Sequence, residues 1–335
     1  MRALAQTLTP LSNAVGRRRA GVWAIAGLAL AVIGACAGEQ DRARSQAQAQ
    51  GEARSIAQAP PPAPEGPDFV PADRGWSLIW SDEFDGAALD RSKWAPEESC
   101  WGGGNEELQC YTDREANIQV QNGVLRLLAR PERWTGPSLP AERRASRPQT
   151  RTQPYTSGKI RTRGLASWTY GRFSARMRLP RGQGAWPAFW MMPAEDHYGP
   201  WPLSGEIDIL EAVNLGAACA ECGEGQGENR IQGALHFGGQ WPENTFLVER
   251  TRLPSGAHPS DGYHVYTVEW GEGRIDWYVD DLLYFSVSAE DWHTASGRAA
   301  GNSVAPFDRP FYLMLNLAVG GRLSVENNAG GVDHG

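Results

Sequence analysis

The run Trp201–Asn214, WPLSGEIDILEAVN, sets three acids, Glu206, Asp208 and Glu211, inside an apolar stretch, and few local structures tolerate that combination. Ile207 and Ile209 alternate with Glu206 and Asp208, so a strand of period two sends the first two acids to one face and the isoleucines to the core. Glu211 has the wrong parity. In a regular strand it would join the isoleucines as an unpaired buried carboxylate, which costs several kcal/mol. One extra residue, a β-bulge near Ile209–Leu210, returns it to the acid face, and bulges occur beside active sites because they re-aim a side chain. The expectation is therefore a bulged strand with all three acids on one side.

With the bulge, the two glutamates stand four strand steps apart, roughly 13 Å along the backbone at about 3.3 Å per step. Side chains that lean together close the carboxyl gap to about 5–6 Å, the spacing at which one carboxylate attacks a sugar and the other protonates the leaving group with retention. The bland alternative is a solvated strand face, since E-x-D-x-x-E arises by chance in roughly a few per cent of chains of this length.

The rest of the chain adds to that weight. Its 39 glycines, 23 prolines and 14 tryptophans, against two lysines at Lys93 and Lys159, suit an all-β chain rich in turns. Exposed tryptophans suit the apolar faces of pyranose rings. A net charge of −7 argues against nucleic acid or another polyanion as partner. From about Asp68 short apolar stretches alternate with turn residues. The predicted strands include Trp76–Trp80, Gly123–Ala129, Lys159–Arg163, Tyr170–Leu179, Ala188–Met192, Tyr263–Trp270, Arg274–Val279 and Phe311–Leu317. Pro131–Pro154 reads as an irregular insertion. No helix-period segment comes after the first 35 residues, so the expected fold is a sandwich of two antiparallel sheets of jelly-roll type.

The N-terminus reads as an export leader over residues 1–35. Arg17, Arg18 and Arg19 precede an apolar stretch from Gly21 to Ala35, too short for an ordinary membrane span. Ile33-Gly34-Ala35-Cys36 resembles the lipobox of bacterial lipoproteins, which implies acylation of Cys36, a membrane anchor and a cell-envelope location. If Cys36 is not acylated, the expectation is a secreted protein. Residues 36–66, rich in Ala, Gln, Arg and Pro, form the expected flexible tether. Four cysteines remain in an exported protein, where disulfides are permitted. Pairing in sequence order, Cys100 with Cys110 and Cys219 with Cys222, is favoured, although four cysteines allow three connectivities. A lone C-x-x-C is weak ground for a metal, and none is assigned.

Several ordered motifs carry a family resemblance. YTSGKIRTRG (155–164), YGRFSARMRLPRGQGAWPAFWMMP (170–193), WPLSGEIDILE (201–211), LHFGG (235–239) and PFYLMLNLAVGG (310–321), with SDEFDG (81–86) and NEELQCYTD (105–113), resemble glycoside hydrolase family 16. The inserted residue in the acid strand is similar to the laminarinase branch, the endo-β-1,3-glucanases, rather than the lichenases. The resemblance implies a concanavalin A-like jelly roll over 67–335, with a concave sheet forming a cleft that cuts internal bonds of a β-glucan. It implies Glu206 as nucleophile, Glu211 as acid and base, and Asp208 as the group between them.

By the same resemblance Asn105, Arg163, Trp186, Trp190, Trp201 and His236 line the cleft and bind substrate. Each has a plainer reading, a core contact for Trp190 above all, a turn for Asn105 and a satisfied buried imidazole for His236. No cofactor is required. A structural calcium near Glu83, away from the cleft, is known in some relatives. Relatives also continue past the GGVD-like segment into a closing strand, and its lack here predicts an uncovered sheet edge. A monomer is expected. The rival reading is a non-catalytic β-glucan-binding lipoprotein on the same fold, and galactans or mixed-linkage glucan remain open as substrates.

Overall fold

A computed structural model describes residues 3–6, 75–144, 149–219, 221–222 and 226–327. Cys36, the tether and most of the expected leader lie outside the described residues. The chain divides into two compact units, residues 1–9 with 67–335, and residues 10–66. The first unit holds the sheets and the acid strand.

Two sheets make the sandwich. The seven-stranded sheet runs in the order Asn244–Thr251, Ile231–Gly238, Glu206–Glu211, Ala185–Pro193, Phe311–Val319, Lys159–Arg161 and Ala95–Pro96. The six-stranded sheet runs Leu282–Ser288, Arg274–Val279, His264–Gly271, Gly171–Met177, Ala3–Gln6 and Leu78–Asp82. Neighbours in both pair antiparallel. Period-two alternation turns one side of each strand into a single core: Phe311, Leu313 and Leu315 from one sheet meet Phe173, Val268, Trp270 and Trp277 from the other, all fully buried. Each such side chain contributes about 1.5–3 kcal/mol by leaving water, so this layer holds the sheets together.

The all-β sandwich is as the sequence predicts, and so is the cysteine pairing, with disulfides at Cys100–Cys110 and Cys219–Cys222. Three details differ. The first strand of the folded region is Leu78–Asp82, two residues later than Trp76–Trp80, because buried Asp82 anchors its end. One Asp82 oxygen accepts from the Phe84 amide at 2.9 Å and the other from the Trp94 indole at 2.8 Å. The insertion at 131–154 contains a hairpin, Trp134–Pro137 with Thr150–Gln153, joined across by Thr135 and Thr152 hydroxyls at 2.7 Å. Its Pro, Arg and Thr content hid the alternation. A short helix, Arg322–Asn327, comes after the last strand and spans too few residues to show a period. In the six-stranded sheet Ala3–Gln6 lies between Leu78–Asp82 and Gly171–Met177.

Candidate active site

The register of the acid strand shows the bulge directly. Asp208 pairs Ala234 and Glu211 pairs Gln232, so three steps on the acid strand match two on its neighbour. On the other side Leu210 pairs Phe189 and Asp208 pairs Trp190, leaving Ile209 as the extra residue. The parity of Glu211 is thereby restored. Three cross-strand rows result on the open face of the sheet. They are Phe246–His236–Glu206, Val248–Ala234–Asp208–Trp190, and Arg250–Gln232–Glu211–Ala188.

The opposite sheet braces this kink. Trp277, fully buried, donates its indole N–H to the Asp208 carbonyl at 2.8 Å, across the core. Gly233, next to the bulge on the neighbouring strand, leaves room for that indole: a Cβ there would stand 2.5 Å from Trp277 Cδ1. A glycine inside a strand often marks such a close approach.

Each acid has its own environment. Trp201 donates to Glu206 Oε2 at 2.5 Å. Trp186 donates to Glu211 Oε1 at 2.9 Å, and Gln232 Nε2 to Glu211 Oε2 at 3.0 Å. Asp208 is 3% exposed, with Oδ2 3.2 Å from His236 Nε2. Burial first, then the negative charges of Glu206 and Glu211, push the Asp208 carboxyl well above the usual range. Burial also raises Glu206, opposed by the His236 cation and by hydrogen bonds from Trp201 and Asp208. For His236, burial disfavours the cation, but the Asp208 hydrogen bond and the charge of Glu206 outweigh it and push the imidazole up to about 9. His236 is therefore cationic at neutral pH. The group titrates as a coupled set. In an NMR titration the His236 imidazole should stay protonated through pH 7 and lose its proton near about 9; a midpoint at the ordinary histidine value of about 6.5 would remove the Asp208 pairing.

The sequence-predicted residues separate clearly. Trp201, 37% exposed, and Phe246, 57% exposed, flank His236 at the Glu206 end, with ring centroids 6.1 and 5.6 Å from the imidazole. Trp186 is buried and holds Glu211, so it positions a carboxyl rather than offering an open platform. Trp190 is pinned in the sheet floor. Its indole donates to Asn316 at 2.6 Å and Lys159 Nζ lies 4.9 Å from its ring centroid. Asn105 is exposed at the Glu211 end: its carbonyl accepts from Arg322, and Gly321 packs against both Asn105 and Trp186. Arg163 is ion-paired with Glu142 of the insertion at 2.7 Å, and its guanidinium lies 5.6 Å from the Tyr312 ring centroid. Cys219 and Cys222 approach Glu228 closely enough for one ion, but their sulfurs are tied in a disulfide. Sequence reasoning missed Gln232, Arg250, Gly233 and Trp277. Alternation in IQGALHFG placed Gln232 on the His236 face and was available; nothing local pointed to Trp277.

A jelly-roll sandwich with two glutamates and an intervening aspartate on one open strand face defines a glycoside hydrolase. The family model for glycosyl hydrolases family 16 matches residues 104–333, and the chain belongs to that family. It is 41% identical over 259 residues to glucan endo-1,3-beta-glucosidase A1 of Niallia circulans, covering 75% of this chain and 35% of that protein. It is 34% identical to a beta-1,3-glucan-binding protein of Penaeus monodon, covering 73% of this chain and 74% of that one. Among solved structures, the laminarinase from Rhodothermus marinus superposes with a TM-score of 0.59 at 35% identity, covering 77% of this chain and 91% of that one.

Proposed function

We propose that the chain is a retaining endo-β-1,3-glucanase. The observation that carries this is the bulge: it brings Glu211 onto the face of Glu206, and each carboxylate is held by an indole N–H. A Glu206 oxygen attacks the anomeric carbon as the bond to the leaving oxygen breaks, and the Glu211 proton passes to that oxygen. A water then gives a proton to Glu211 and attacks the same carbon, breaking the ester to Glu206. Asp208 hydrogen-bonds Glu206 and favours its charged form, leaving it available as nucleophile. His236 Nδ1 is buried with no hydrogen-bond partner among the described residues. Trp201 and Phe246 present ring faces to a sugar on the Glu206 side, and Asn105 lies on the leaving-group side.

Similarity to glucan endo-1,3-beta-glucosidases supports β-1,3-glucan as substrate, and acylation at Cys36 would tether the enzyme to the cell envelope. The binding-protein reading is weaker because the full acid set is present and oriented. Incubation with laminarin, lichenan and agarose, with product sizing and anomer-resolved NMR, tests the reading. Short β-1,3 oligosaccharides released first as the β-anomer are expected. Binding of laminarin without cleavage would replace it with the glucan-binding alternative.

A further inference from the structure

We propose that Arg250 is a positioning residue for the Glu211 carboxyl, acting through the side-chain amide of Gln232. The bulge puts Glu211, Gln232 and Arg250 in one row across three strands. Arg250 Nε donates to Gln232 Oε1 at 2.9 Å, and Gln232 Nε2 donates to Glu211 Oε2 at 3.0 Å. Arg250 makes no direct contact with Glu211 in this chain of bonds. Its effect is on the amide.

A glutamine amide can turn over, exchanging its donor and acceptor ends. An arginine has only donors, so a bond from Arg250 fixes Oε1 outward and leaves only N–H groups facing Glu211. A turned amide would instead offer Oε1 to the protonated carboxyl and accept its O–H, aiming the proton away from the glycosidic oxygen. With Arg250 in place Gln232 donates in both protonation states, and the proton of Glu211 stays free for the leaving group.

The other charged groups around Glu211 are accounted for. Glu206 and Asp208 share its strand, and His236 lies beyond Asp208 on the next. Arg230 and Glu228, near the same recess, pair with each other at 2.7 Å. From the Ala185–Pro193 strand the neighbour is the neutral Trp186 indole, and behind it Glu107 is held by Gln109 and Asn105. Beyond Ala188 the row continues through Asn316 to Lys159, whose ammonium pairs with Glu97 at 3.1 Å, and Arg250 is the cation that neighbours Gln232.

The inference rests on Glu211 being the acid. Arg250→Met and Arg250→Lys, alone and on Gln232→Met, would be assayed on laminarin and on an aryl β-laminaribioside with a dinitrophenolate leaving group, which needs no proton. Arg250 is exposed, and thermal melts confirm folding. For Arg250→Met the expected result is a fall in kcat on laminarin on the order of tenfold, with KM unchanged. The aryl substrate should be nearly unaffected, Arg250→Lys should restore most activity, and Arg250→Met should cost nothing further on Gln232→Met. A loss confined to KM, equal on both substrates, or fully additive with Gln232→Met overturns the proposal. So does an Arg250→Met enzyme identical to the parent. A parent protein that cleaves none of laminarin, lichenan and agarose overturns the functional reading as well, and is recognised by that.

Discussion

Glu206→Gln is expected to lower kcat on β-1,3-glucan by at least about four orders of magnitude while leaving the thermal midpoint close to that of the parent. The amide keeps the volume of the side chain and can still meet the Trp201 indole region, so the strand and its bulge persist. What disappears is the oxygen pair that forms the glycosyl ester. Polysaccharide binding should survive, because Trp201, Phe246 and His236 remain at that end of the cleft. The measurement is kcat with reducing-end detection alongside affinity gels containing laminarin. Residual activity above about one per cent of the parent would remove Glu206 from the nucleophile role.

Trp277→Phe should have the second largest effect, although the residue stands on the other sheet and touches no substrate. Its indole N–H is the donor to the Asp208 carbonyl at the bulge, and phenylalanine fills most of the space without that donor. A buried carbonyl that loses its partner costs about 1–3 kcal/mol, seen as a lower midpoint in denaturant. The larger consequence is at Glu211. If the bulge relaxes by about one ångström, the acid is misplaced, and such shifts cost roughly a hundredfold in rate. Gly233→Ala should act from the other side, since its Cβ would meet Trp277 Cδ1 at 2.5 Å. A Trp277→Phe enzyme with parental kcat would show that the bulge is held by its own strand pairing alone.

Much of this site was legible from residues near one another in the chain. The parity conflict at Glu211 forced a bulge at Ile209–Leu210, and the register places the extra residue there. The resemblance-based residues fared unevenly because a family motif carries position but not partner. Trp201 is open beside Glu206 as a cleft residue should be, whereas Trp186 and Trp190 spend their indole donors on Glu211 and Asn316. Arg163 is engaged by Glu142, which comes from an insertion that had no strand pattern to place it.

Two physical rules acting over a few residues, the alternation of a strand and the expense of an unpaired buried charge, were enough for the sequence to determine a bulged acid strand in an all-β sandwich. The tertiary structure alone decided which groups serve that strand. Trp277 reaches it from 69 positions away, and Gln232 and Arg250 join its row only through the pairing of three separate segments. Hydrogen bonds between sheets and across strands depend on register and packing, and those are set by how the whole chain closes around its core.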